Sequence, residues 1–308
     1  MRHALELAAA RTVRAIVRWL PRRLVRPCGT LLGYTFYAVD RVHRRVADTN
    51  LRTAFPQRTQ SERQAITREM FGHFGRLLLE LLKFSTLSPA GMRRLVELEG
   101  EDRARAAYAQ GRGVLFFTGH FGYWEIHAIV HALGLEPVAV LARALDNPGL
   151  HRLLEEVRTC TGNSVIYRQG AIRRVLRTLQ AGRGIAMLID QHLHSPDAIY
   201  VSFFERPAAT TSMLAALALR TGAPVVPAFA LPLPGGRYRM IYEHAVDPPS
   251  ADTPEAVREF TQRCTDVLEM YVRRHPSLWL WMHRRWRDVQ VPAETPGMFP
   301  PARAEERE

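Results

Sequence analysis

Apolar residues recur at helical spacing from the start of the chain: Leu5, Ala8, Ala9, Val13, Ile16, Val17 and Leu20. Arg11, Arg14, Arg18, Arg22 and Arg23 fall largely between them. Apolar positions three and four apart line one face of a helix, so residues 1–26 predict a basic amphipathic helix. Residues 27–39 are uncharged but form a run of only 13 residues. A crossing helix needs roughly 20 apolar residues. The two stretches together therefore read as an interfacial anchor rather than a membrane span. Helical periodicity returns over residues 61–82, where Met70, Phe71, Phe74, Leu77, Leu78 and Leu81 share one side.

Beyond residue 113 the period switches back and forth. Short apolar runs predict strands at 114–118, 137–141, 164–167, 185–189, 201–204, 225–231 and 238–242. Helical patterns lie between them at 125–133, 150–159, 171–180 and 212–221, with a long one at 255–274. Alternating strands and helices predict an α/β fold, a mainly parallel sheet flanked by helices. The expected organisation is a membrane-associating helical segment over 1–56, an α/β domain over 57–292, and a polar, disordered tail over 293–308. Ligands of such sheets lie at the carboxyl ends of the strands. His120 and Asp190 each fall there, just after an apolar strand.

Charge narrows the choice of partner. The chain has 308 residues, 42 of them Lys or Arg against 30 Asp or Glu, a formal net charge of +12. Such an excess suits an anionic partner: nucleic acid, an anionic membrane or an acidic protein. All but one of the basic residues are arginine, Lys83 being the exception, so the chain has no phosphate-binding loop of the G-x-x-x-x-G-K-[ST] type. Cys28, Cys160 and Cys264 are isolated in sequence and make neither a zinc pattern nor a disulfide framework, which fits a reducing cytoplasmic setting.

The segment with most chemistry is Phe116-Phe117-Thr118-Gly119-His120-Phe121-Gly122-Tyr123-Trp124-Glu125. On one regular helix, five positions are about 140° of rotation, so His120 and Glu125 would not share a face. They meet only with His120 in a loop and Glu125 in the first helical turn, an entry that Gly119 and Gly122 allow. A carboxylate on one imidazole nitrogen fixes the tautomer, and the other nitrogen is then free to take a proton from a hydroxyl. With no G-x-S-x-G serine elbow in the chain, the attacking hydroxyl belongs to a substrate. A buried histidine with a salt-bridged glutamate of purely structural purpose fits the same residues.

Longer blocks add to this. His120-x-x-x-x-Glu125 after an apolar strand resembles the catalytic motif of the lysophospholipid acyltransferase superfamily. The chain as a whole is similar to the bacterial lipid A biosynthesis acyltransferases, the lauroyl and myristoyl transferases. The resemblance runs through Tyr37-Ala38-Val39-Asp40-Arg41, Asn50-Leu51-Arg52-Thr53-Ala54-Phe55-Pro56 and Arg143-Ala144-Leu145-Asp146-Asn147-Pro148. It continues through Asp190-Gln191, Val201-Ser202-Phe203-Phe204 with Pro207-Ala208-Ala209-Thr210, Ala223-Pro224-Val225-Val226-Pro227, and Trp279-Leu280-Trp281-Met282-His283-Arg284-Arg285-Trp286. It implies that His120 is the base with Glu125 as its partner, and that Asp190 and an arginine downstream have roles. Arg158 and Arg143 are the two candidates for that arginine, and Asn147 lies in the block that carries Arg143. Such an arginine holds a substrate phosphate or stabilises an oxyanion. The resemblance further implies an acyl thioester donor, either acyl carrier protein or acyl-CoA, an anionic glycolipid acceptor, no cofactor and no metal. The basic first helix leads to the expectation that the protein sits at the cytoplasmic face of the inner membrane.

Departures exist: Glu205-Arg206 stands before a proline where a small residue is commoner, and His192 and His194 with Asp197 occupy a loop where glycine is expected. The Trp/Arg cluster at 279–287 also admits a nucleic-acid reading, but packing with headgroup or phosphate contact is preferred and nucleic acid is not an expected partner. Three other functions remain open on the sequence. One is acylation of a different glycolipid, such as a mannosylated phosphatidylinositol. The second is thioester hydrolysis, and the third a basic membrane-binding protein without catalysis. Charge makes the donor testable. If a strongly acidic carrier protein docks on this basic chain, raising ionic strength is expected to increase KM for acyl carrier protein far more than KM for acyl-CoA. Equal responses in a steady-state assay would count against the carrier protein.

Overall fold

The computed structural model describes residues 2–167, 170–195 and 198–287. Its first elements are the helices α1 (Arg2–Trp19), α2 (Arg22–Val39), α3 (Arg41–Ala54) and α4 (Gln60–Phe84). The expected helix over 1–26 is cut at Pro21, because the residue before a proline is disfavoured in the helical region. Pro27 is instead carried inside α2, at the cost of one main-chain hydrogen bond. Asp40 caps α3 by accepting from the His43 amide, and Thr59 and Glu62 form a reciprocal capping box at the start of α4.

The remaining elements run α5 (Pro89–Arg93), β1 (Val96–Glu99), α6 (Glu101–Tyr108), β2 (Val114–Thr118), α7 (Trp124–Gly134), β3 (Val138–Ala142) and α8 (Pro148–Thr159). They continue through β4 (Ser164–Tyr167), α9 (Ala171–Gln180), β5 (Gly184–Leu188), β6 (Ile199–Phe203), β7 (Arg206–Thr210), α10 (Met213–Thr221), β8 (Val225–Leu233), β9 (Arg237–Tyr242) and α11 (Pro254–Arg274). A seven-stranded sheet has the order β1-β9-β8-β2-β5-β3-β4. Its neighbours run parallel except β8 and β9, which form an antiparallel hairpin. β6 and β7 form a separate antiparallel pair. The α/β class and the mainly parallel sheet are as the alternation of periods predicts. α3, α5, β1, α6 and β7 lie outside the predicted elements. β1 is a four-residue strand at the sheet edge with two exposed positions, and β7 carries a proline, which has no N–H to give a ladder. The tail at 293–308 lies outside the described residues.

β2 sits in the middle of the sheet with Val114, Leu115, Phe116 and Phe117 all buried. β5 lies on one side of it and β8 on the other. The chain leaves β2 for β3 and β4, then returns to insert β5 beside β2. Two strand ends far apart in sequence thus become neighbours at the centre of the carboxyl edge.

The N-terminal helices are fastened to this core by an unusually close seam. α2 and α4 cross with their backbones touching: a Cβ added at Gly33 would lie 2.1 Å from the Phe71 carbonyl oxygen, and one at Gly75 2.2 Å from that of Gly29. Away from the seam α2 is apolar and exposed, with Leu24, Leu31, Phe36 and Val39 facing outward and Val42 of α3 beyond them. α1 packs its Val17 inward but leaves Leu5, Ile16 and Trp19 exposed. Among the described residues no helix is long and apolar enough to cross a membrane.

The seam has a measurable consequence. Gly33→Ala forces two main chains apart and is expected to cost about 1–3 kcal/mol or more in urea unfolding. Gly134→Ala, where the nearest atom lies an ordinary 3.6 Å away, is expected to change stability little. Equal stabilities for the two variants would contradict the close crossing.

Candidate functional site

The register of the sheet builds the site. Thr118 of β2 pairs with Leu188 of β5. His120 and Asp190 each follow two residues later, so they emerge side by side. The Asp190 Oδ1 lies 2.8 Å from His120 Nδ1, and its Oδ2 accepts from the His120 backbone amide at 2.7 Å. Oδ2 also accepts from Trp279 Nε1 at 2.8 Å. Asp190 is buried, and an unpaired carboxylate there would cost several kcal/mol. Three donors remove that penalty and hold its pKa well below the usual carboxylate range. Burial opposes this, but the imidazole of His120 and the hydrogen bonds it receives outweigh burial.

With Asp190 accepting at Nδ1, that nitrogen carries the proton and Nε2 presents a lone pair. The side chain of His120 is 17% exposed, enough for Nε2 to meet a substrate. Gln191 Nε2 lies 3.4 Å from it. Burial alone would lower the His120 pKa. The Asp190 charge, its hydrogen bond and the more distant Glu125 charge reverse that, so the pKa is raised.

Gly122 shapes the loop after His120. Its φ is +58°, and a Cβ would come within 1.9 Å of the Ala230 carbonyl oxygen, so only glycine fits. α7 then starts at Trp124 and puts Glu125 in its first turn, the arrangement expected for the two residues. The expected contact between them is not formed. Glu125 points to α8, where Arg158 Nε donates to Oε2 at 2.9 Å and Arg158 Nη2 donates to Oε1. Both Glu125 oxygens are thereby used in a bidentate pair, and the place at the histidine nitrogen goes to Asp190. The pairing also neutralises Arg158, whose pKa is raised: burial would lower it, but the Glu125 hydrogen bond and charge outweigh burial.

The other expected residues lie elsewhere. Arg143 is 73% exposed and paired with Asp146 at 2.9 Å. Asn147 caps α8 by accepting from the Gly149 and Leu150 amides, and its Nδ2 donates to the His3 carbonyl and to Glu6 of α1. In the Trp/Arg cluster, Trp279, Trp281 and Arg285 are buried and pack as expected, while Arg284 and Arg287 are exposed. Arg285 Nη1 donates to the Ala209 carbonyl at 2.6 Å and to that of Gln191 at 3.3 Å, pinning the 190–191 loop to β7. The partnership of Trp279 and His283 with Asp190 is not apparent from the sequence. The one available signal is that a buried indole N–H needs an acceptor. His283 Nε2 faces the Asp190 carbonyl at 3.1 Å, and its ring lies 6.2 Å from that of His120.

A cavity of about 470 Å³ opens beside His283, between α2, α4 and the 280–283 segment. Its walls are Leu32, Phe36, Phe71, Phe74, Leu78 and Met282, so it is lined chiefly by hydrocarbon. Phe74 also packs on Trp124, whose ring lies 5.4 Å from that of His120. His120 thus neighbours the wall of an apolar cavity, its ring 6.2 Å from that of His283 in the lining.

This is the architecture of an acyltransferase. The family model for bacterial lipid A biosynthesis acyltransferases matches residues 5–288, and the chain belongs to that family. It is 25% identical over 284 residues to the lipid A biosynthesis palmitoleoyltransferase of Escherichia coli K12, covering 89% of this chain and 90% of that one. The lipid A biosynthesis lauroyltransferase of the same organism is 25% identical over 274 residues, 88% of each chain. A phosphatidylinositol mannoside acyltransferase from Mycolicibacterium smegmatis is 21% identical over 225 residues, 72% of each.

The two carboxylates near His120 are separable by their effects. A base must be neutral to act, so a raised His120 pKa sets the acidic limb of the pH–rate profile above that of a free imidazole. Asp190→Asn removes the adjacent charge and is expected to move that limb to lower pH, with turnover falling about 10²–10⁴-fold. Glu125→Gln leaves the Asp190 hydrogen bond intact and is expected to shift the limb less. A larger shift for Glu125→Gln in the measured profile would return the partner role to Glu125.

Proposed function

We propose that this acyltransferase moves a fatty acyl chain from an acyl thioester onto a hydroxyl of a lipid A precursor or similar glycolipid. In this reading it works at the cytoplasmic face of the inner membrane. The observation that carries the reading is the Asp190-held His120, whose Nε2 faces the Gln191 amide at 3.4 Å and whose neighbour His283 lines an apolar cavity. The cavity receives the acyl chain, each buried methylene contributing about 0.8 kcal/mol. His120 Nε2 takes the proton of the acceptor hydroxyl as that oxygen attacks the thioester carbonyl carbon. Asp190 stabilises the imidazolium that results. The tetrahedral oxyanion collapses, the carbon–sulfur bond breaks, and the thiolate leaves with the proton from His120. The Gln191 amide is within reach to donate to the developing oxyanion.

The Glu125–Arg158 pair acts on His120 through its charges and stiffens the junction of α7 and α8. With both Glu125 oxygens engaged, Arg158 holds the glutamate in place more than it holds a phosphate. The exposed apolar face of α2 beside the cavity supports peripheral membrane association, with α1 lying against the surface through Leu5, Ile16 and Trp19. The names of the Escherichia coli relatives favour a lipid A precursor as acceptor. The mycolicibacterial relative keeps a mannosylated phosphatidylinositol as the second reading.

His120→Ala is expected to retain the fold and lose acyl transfer by about 10²–10⁴-fold. Mass spectrometry of lipids from cells carrying wild-type or His120→Ala protein then identifies the acceptor by the acyl group it lacks. Near-normal turnover by the purified variant would end this reading.

A further inference from the structure

The reacting centre is short of free positive charge, because Arg158 is neutralised by Glu125. The free charge is elsewhere. At the far end of the α2–α4 pair a second cavity, of about 590 Å³, lies under the β8–β9 turn. Arg22, Arg23 and Arg26 of α2 and Lys83 of α4 line it, and Glu80 is its one carboxylate. Glu80 is buried and already engaged: it accepts from the Tyr123 hydroxyl and lies 3.6 Å from Arg26 Nε. The cations spend few donors on the protein. Arg22 Nη2 donates to the Gly236 carbonyl at 2.8 Å, Arg26 Nη1 to that of Leu233 at 3.1 Å, and Lys83 Nζ to that of Arg18 at 2.7 Å. Carbonyl partners orient a cation without cancelling its charge. α2 also begins at this cavity with no side-chain cap, adding the positive end of its dipole.

We infer that this basic cavity binds the phosphate group of a lipid headgroup. Four cations against one engaged carboxylate match a phosphate monoester dianion. The lipid source follows from the surroundings: Leu24, next to Arg23, and Leu31, about two turns further along α2, are exposed, so a headgroup seated in the cavity leaves its tails along an apolar ridge. The site is separate from the apolar cavity, since Arg23 of the one and Gly33 of the other are ten residues apart on α2, about 15 Å along its axis. The inference deepens the proposed function and rests on it only in taking the protein to work at a lipid surface.

The test measures binding, so it is independent of acyl transfer. The full chain is titrated with phosphatidylcholine vesicles carrying either phosphatidic acid, a phosphate monoester, or phosphatidylglycerol at equal surface charge. Inorganic phosphate is titrated separately by calorimetry. Wild type is expected to prefer the phosphatidic acid vesicles, and R23E/K83E to lose that preference with at least about 20-fold weaker binding. R173E/R177E, the same charge change on α9, and H120A are expected to keep it. Should K83E loosen α1, whose last turn Lys83 caps, Arg23→Glu alone is read in its place, with about fivefold weakening expected. Retention of the preference by R23E/K83E and by Arg23→Glu, or equal loss in R173E/R177E, overturns the site. Inorganic phosphate binding as tightly as phosphatidic acid overturns the lipid assignment. Loss of transfer by H120A with vesicle binding intact separates the two readings.

Discussion

A buried carboxylate has to be satisfied on every side, and Asp190 is satisfied by three donors from two distant parts of the chain. The His120 amide and imidazole come from the end of β2, and the Trp279 indole comes from beyond α11. The loop that carries Asp190 is held in turn by Arg285 through the Gln191 carbonyl. Removing any one donor would leave a desolvated charge, which costs more than the lost hydrogen bond itself. The geometry of His120 is therefore set by electrostatic necessity around its neighbour more than by the tightness of its own loop.

Much of this was legible in residues and some was not. The strands and helices of the core followed from changes of period, and the positions of His120 and Asp190 just past apolar strands marked both as carboxyl-edge residues. Their contact was not legible, because it depends on β5 inserting beside β2, a matter of strand order that hydrophobic periodicity does not encode. The motif that the resemblance rests on pairs His120 with Glu125, five positions on, whereas the sheet brings a residue 70 positions away onto the imidazole nitrogen. Arg158 and Glu125 both belong to the neighbourhood, but as partners of each other. The seam of α2 and α4 is not legible in the length and apolarity of residues 27–39, because it depends on Gly29 and Gly33 meeting Phe71 and Gly75 of a distant helix.

That seam gives the molecule its division of labour. Two helices pressed backbone to backbone cannot fill the space at either end of their contact, and each end has become a cavity of opposite character. One is lined with hydrocarbon beside His283. The other is lined with arginine and the chain's only lysine. Both lie on the helix whose outward face is apolar, so the part of the fold most exposed to a lipid phase is also the wall of both chambers.

Trp279, Trp281 and Arg285 have one further consequence, which concerns time. All three are buried, and all come from the segment after α11. Until the ribosome has made the chain through residue 285, Asp190 lacks its indole donor and the 190–191 loop lacks its pin. Contacts of such long sequence separation form late in folding. The surroundings of His120 are therefore complete only once the segment through residue 285 has been made, and a nascent chain with His120 and Asp190 already on neighbouring strands still lacks the indole and guanidinium that hold them.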